Sequence, residues 1–182
     1  MAAASFNPTQ SVRFDLAQGA VRAGAGDDRV LLVPLAALMD LVLAAPTPAV
    51  EALGRALGSA IGRRAATRIG NAQGSSLEDF VTQLAGEAAL AGIGVLSVER
   101  WGRALVVVLE DSPLLGSLVA PLVGAALEAA SGRKVASTLL SRNEHSAHVL
   151  VSSESAVGRV REWMESGVSW GDALTRLHGG NS

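Results

Sequence analysis

The chain has no cysteine and no tyrosine, and only three phenylalanines and three tryptophans among 182 residues. Without cysteine there is no disulfide, no thiolate metal site and no thiol for lipid attachment, and the composition suits a reducing, cytoplasmic setting. With so few aromatics, Ala, Val, Leu and Gly must fill the interior. Charge of one sign is also missing. Fifteen Lys and Arg face seventeen Asp and Glu, a net −2 that gives no electrostatic reason to expect nucleic acid. No apolar run reaches the roughly 20 residues that span a bilayer. Val30–Ala45 is broken by Pro34 and Asp40, and Leu114–Ala130 by Pro121 and Glu128, so both read as buried core helices. The start, Met1 to Ser5, lacks the basic and apolar regions of a secretory signal.

What is present is apolar residues at 49% against 18% charged, enough for one domain with a sizeable core. Residues 1–10 read as a flexible arm, 11–178 as a single domain and 179–182 as a frayed tail. Ser11–Leu16 alternates like a half-buried strand, and Ala20–Ala23 with Arg29–Val33 completes a small meander. A short helix follows over Pro34–Ala44. Thr47-Pro48 suggests a capped helix start and Gly70 its stop. Ser75-Ser-Leu-Glu78 reads as a capping box for a helix ending near Gly92. Ile93–Arg100 and Arg103–Leu109 form a hairpin, and the continuous run Leu105–Leu109 fits a strand covered on both faces. Ser112-Pro113 repeats the capped start ahead of an apolar helix stopped by Gly132. Lys134–Ser141 and His145–Ser152 form a second hairpin around Asn143-Glu144. Helices over Ser155–Glu165 and from Ser169 onward close the chain. The expected fold is α+β: a four-stranded antiparallel sheet of two hairpins packed with long helices, plus the N-terminal β meander. Two helix-then-hairpin units are expected to share one interior.

Gly54, Gly58 and Gly62 stand four apart on one helix line. Each costs roughly 1 kcal/mol against alanine there, so another backbone must pack closely on that line. It is either inside the same chain or across a homodimer.

Chemical constellations are sparse. His145 and His148, three apart on a strand, point to opposite faces and cannot converge on a metal. No nucleophile elbow, phosphate loop or dinucleotide fingerprint occurs. Asp111-Ser112 reads as a helix cap rather than a catalytic pair. Arg63, Arg64 and Arg68 form a basic cluster, either a solvated or paired helix face or a site for an acidic partner. Phe80, Leu84, Val119, Leu122 and Val123 either line an apolar ligand pocket between two helices or fill an ordinary core. Trp101 at its turn, and Trp170 on the amphipathic tail, are covered by their own chain or contact a partner.

Ala91-Gly-Ile-Gly-Val-Leu-Ser-Val98, Ala104–Leu109, Asp111-Ser-Pro113, Val123–Leu127, Arg133–Ala136 and the upstream Leu53–Gly58 together resemble the 4-vinyl-reductase domain family and the related TRAPP-type vesicle-tethering subunits. The resemblance covers about Val30–Ser153. It implies long helices on a four-stranded antiparallel sheet, bacterial or vesicle-tethering relatives, dimerisation through helices, and in many members a cavity for a small hydrophobic ligand. Members that hold zinc or a thioester-linked acyl group use cysteines, which this chain lacks, so no cofactor is expected. With no output domain in the chain, a signal is expected to pass to a separate protein partner. The reading is a non-enzymatic adaptor or sensor domain. An enzyme or carrier of tetrapyrrole metabolism, by family analogy, and a structural subunit of a larger assembly stand as alternatives.

Overall fold

A computed structural model describes residues 6–24, 28–70, 76–102 and 104–179. A 3-10 turn over Pro8–Gln10, capped by the Asn7 side chain, leads into the meander. Its strands are β1 (Val12–Asp15), β2 (Ala20–Ala23) and β3 (Asp28–Val30), all antiparallel. Helices α1 (Leu35–Ala44), α2 (Thr47–Ile69) and α3 (Leu77–Leu90) follow, then β4 (Val95–Trp101), β5 (Ala104–Glu110), α4 (Gly116–Ser131), β6 (Ala136–Arg142), β7 (Ser146–Ser152), α5 (Glu154–Glu165) and α6 (Trp170–Gly179). The main sheet has the order β4-β5-β7-β6, antiparallel throughout. Two hairpins meet at β5 and β7, leaving β4 and β6 as edges.

Turn chemistry sets these boundaries. Gly102 and Gly132 take positive φ at the first hairpin turn and at the end of α4, conformations that side chains resist. The Asn143 carboxamide oxygen accepts from the His145 and Ser146 backbone N–H groups at 2.9 and 2.7 Å, closing the second hairpin. His145 therefore lies in the turn and not on β7.

Two expected caps are replaced. Helix α2 begins at Thr47 itself, after Pro46, with no side-chain cap. Helix α4 begins at Gly116 after Leu115. Leu114 is buried first, so the chain packs before it coils. At α3 the cap is Ser76, which accepts from the Asp79 N–H and donates to its carboxylate; Ser75 lies outside the described residues, as do Arg103, residues 1–5 of the expected arm and 180–182 of the tail.

The sheet divides the interior in two, where one shared interior was expected. One face meets α3 and α4, and α2 lies over them. The other meets α5 and α6, with Val106, Val108, Leu150, Val160 and Leu174 at its centre. Period-2 alternation sends neighbouring residues of β5 to opposite faces, and both sets are buried. That is why Leu105–Leu109 is apolar at every position.

Helix α1 departs from the expectation of a buried core helix. Only Val42 is buried; Leu38, Met39 and Ala45 lean on the body. Its remaining leucines face solvent.

Candidate functional site

The glycine line of α2 lies against α4 of the same chain. A Cβ on Gly54 would stand 2.8 Å from the Leu118 carbonyl oxygen, and Gly58 and Gly62 meet the carbonyls of Leu122 and Ala126 still more closely. Partners advance by four on both helices in the same direction, so α2 and α4 run parallel with backbones in contact. The carbonyl row faces glycine Cα hydrogens, a geometry that supplies weak Cα–H···O contacts. This line is filled within the chain.

The residues considered for an apolar pocket are in the same packed region. Leu84, Val119, Leu122 and Val123 are buried in the first core, and Phe80 packs against it half-buried. Two grooves open elsewhere. The smaller, about 310 Å³, lies at the open end of the first core between α3 and the first hairpin. Val81, Val98 and Leu105 form its floor, and Glu78, Thr82 and Arg100 its polar rim. Its floor residues all pack against the core on their other side. Its apolar positions are separated by 17 residues in sequence and meet only because Val98 and Leu105 point to the α3 face from neighbouring strands. No local sequence signal announces that.

The larger groove, about 520 Å³, follows the free edge of β6, floored by the small residues Gly116, Ala120 and Gly124 of α4 and walled by Glu51 and Arg55 of α2. Ser137 is tied to the Ala120 carbonyl at 2.7 Å. Thr138, only 9% exposed, lines the same groove and has no side-chain hydrogen-bond partner.

Glu87 is the charged group that sequence reasoning missed. Its carboxylate is fully buried and takes one guanidinium on each oxygen, Arg64 Nε and Arg68 Nε both at 2.7 Å. Charge-assisted bonds of this kind are short and strong. Two members of the basic cluster are thus a pairing site joining α2 to α3. A lone glutamate on the buried Leu84–Ala88 stripe of α3 was the available signal. Phe6 seats its ring over Gly86 and under the Arg68 guanidinium, 5.0 Å from its centroid.

On the opposite face of the sheet, Trp101 and Trp170 meet each other edge to face, with ring centroids 5.4 Å apart. The His148 ring stacks on Trp170, and its Nδ1 lies 3.1 Å from the Ser141 hydroxyl. Trp101 also donates to Glu99 at 3.0 Å. These contacts dock α6 on the sheet while leaving Trp101 partly exposed. Among the described residues no three acidic or imidazole groups converge to hold a metal ion, and no helix is long and apolar enough to cross a membrane.

No protein-family model matches the chain, and no curated protein sequence matches it either. The fold does have a counterpart. The phenol-responsive sensory domain of the transcription activator PoxR, solved with phenol, superposes with a TM-score of 0.63 at 15% identity, over 94% of this chain and 93% of that one. The architecture is therefore that of a small sensory domain, in coarse agreement with the 4-vinyl-reductase resemblance. The resemblance to TRAPP-type tethering subunits has no support in these comparisons.

Proposed function

We propose that the chain is a non-enzymatic sensor domain of the 4-vinyl-reductase type, taking a small hydrophobic ligand with one polar group. The observation that carries this is the groove between α3, β4 and β5. Its floor of Val81, Val98 and Leu105 is apolar, its rim is polar, and its volume of about 310 Å³ is at the lower end of small-molecule sites. The likeness over nearly the whole length to a domain solved with phenol supports the same reading. Binding there would wedge α3 against the sheet, and the altered surface or pairing of copies would carry the signal to a separate partner.

Phenol is the probe. A ligand at a hundred times its Kd stabilises by about 2.7 kcal/mol, which at this size raises Tm by roughly 5–11 °C. Val98→Arg should remove the shift while far-ultraviolet circular dichroism stays unchanged. A wild-type Tm that ignores phenol, cresols and short-chain fatty acids at millimolar concentration overturns the reading. Tetrapyrrole absorbance in protein purified from its host would favour the pigment alternative.

The β6 edge favours a second reading, an adaptor that adds an extended partner segment as a strand. The unpartnered Thr138 and the small-residue floor beneath the edge suit that mode. A pull-down from the host, repeated with Gly124→Leu to fill the floor, tests it. A stoichiometric partner retained by the variant would exclude this groove.

A further inference from the structure

We infer that the ledge formed by α1 and the preceding Leu31–Val33, continuous with the apolar face of the meander, is where a second copy of this chain docks. The inference rests on the pairing of copies proposed above and names its face.

The exposures are unusual for a free surface. Leu16, Leu31 and Leu43 are 90%, 84% and 69% exposed, and Phe14, Leu32 and Leu41 are 60%, 69% and 68% exposed. With side chains of about 200 Å² each, these leave on the order of 800 Å² of apolar surface. That exceeds the roughly 300–600 Å² of a typical largest monomer patch and equals the roughly 800 Å² that each partner contributes to a standard interface.

Helix α1 sharpens the point. It meets the body along Leu38, Val42 and Ala45, one stripe. Leu41 and Leu43 lie about 100° to either side of Val42. A helix apolar on this many sides belongs in an interior, and its own chain covers one side.

The occupant is identified by charge. Asp40 is the sole charged residue between Leu31 and Ala45, so a charged partner finds nothing to pair with, while leucine against leucine is self-complementary about a two-fold axis. A lipid surface fits less well, because it wants basic residues beside the apolar ones. In the meander, Phe14, Val21 and Val30 share one face across three strands, and Arg13, Arg22 and Arg29 share the opposite face. The basic and apolar surfaces therefore point away from each other.

The experiment is sedimentation of the full chain, without ligand, from 0.1 to 100 µM, for wild type and Leu41→Glu/Leu43→Glu. Wild type should sediment as a dimer. The variant should be a monomer with association weakened at least a hundredfold and with unchanged circular dichroism. Hydrogen exchange in wild type, which needs no substitution, should show residues 31–44 protected at high concentration and open on dilution. A wild type that is monomeric throughout overturns both the pairing and its face. A dimer that ignores the two glutamates and shows no concentration-dependent protection at 31–44 overturns the face alone. A monomer that co-sediments with vesicles of phosphatidylserine and phosphatidylcholine assigns the ledge to lipid and overturns the inference.

Discussion

Alanine at Gly58 should destabilise the protein, although alanine is the better helix former. A Cβ there would lie 2.8 Å from the Leu122 carbonyl carbon and 3.0 Å from the Ala126 nitrogen. Carbon atoms in contact prefer about 3.5–4.0 Å, so α2 must retreat from α4 by up to about 1 Å. A gap of that size forfeits roughly a quarter to a half of each dispersion contact, and it opens along Gly54 and Gly62 as well. Overpacking of this kind costs about 1–3 kcal/mol, occasionally more, and helix propensity returns about 1 kcal/mol. Because the obstruction is backbone, which cannot rotate aside, the upper end applies and the net loss is about 2 kcal/mol. For a chain of this size Tm should fall by roughly 4–8 °C. Gly158 in α5 is the control, since nothing lies within 4 Å of its added Cβ. Gly158→Ala should raise Tm by roughly 1–4 °C. Calorimetry on both variants, with sedimentation alongside, decides the matter. If Gly58→Ala stabilises as Gly158→Ala does, the two helices do not touch on this line. If it yields a folded species of lower mass at unchanged Tm, the line is a contact between copies.

Glu87→Gln should cost about 3 kcal/mol in urea unfolding, because two largely buried guanidiniums lose their counter-charge; Arg64→Met with Glu87→Met should recover part of the loss. Asn143→Ala removes the acceptor for two backbone N–H groups and should lower stability by about 1–2 kcal/mol without changing the m-value. Gly86→Ala would drive its methyl into the Phe6 ring. It should speed exchange of amides 6–11 while the global Tm moves by less than about 2 °C.

The architecture was legible where local chemistry decides it. Glycines at 102 and 132, Asn143, and the unbroken Leu105–Leu109 run each demand one local structure, and the two hairpins follow from them. The caps at Thr47 and Ser112 were misplaced because a threonine or serine before proline signals a helix start without fixing its phase. Burial of Leu114 delayed α4, and that is a tertiary effect. The glycine line announced a close backbone contact, but its partner, the carbonyl row of α4, carries no side-chain signature. The floor of the smaller groove was illegible for a related reason. Val98 and Leu105 become neighbours through strand register, and the same pattern of valines and leucines also builds filled core. Helix α1 misled in the opposite direction. Its composition correctly says that it is buried, and a single copy of the chain does not supply the cover.

The groove and the ledge are physically connected, and linkage makes that connection measurable. Val81 and Thr82 of α3 line the groove. One turn further on, Glu87 clasps Arg64 and Arg68 of α2. The aliphatic stem of Arg64 packs on Gly24, where an added Cβ would stand 2.7 Å from Arg64 Cδ, and Gly24 directly follows strand β2 of the meander. A ligand that moves α3 therefore pulls on the only buried carboxylate, which in turn holds the residue that supports the meander. Spatial continuity alone does not establish coupling. Reciprocity supplies the test: whatever factor phenol applies to association of two copies, association must apply to phenol affinity. Couplings of this kind are typically about 5–150-fold. Phenol titrations at 0.1 and 100 µM protein should therefore differ by such a factor in wild type. Glu87→Gln should retain both binding and association with the factor reduced towards one. If the factor survives the substitution intact, the two sites communicate through the sheet and not through the α2–α3 clasp.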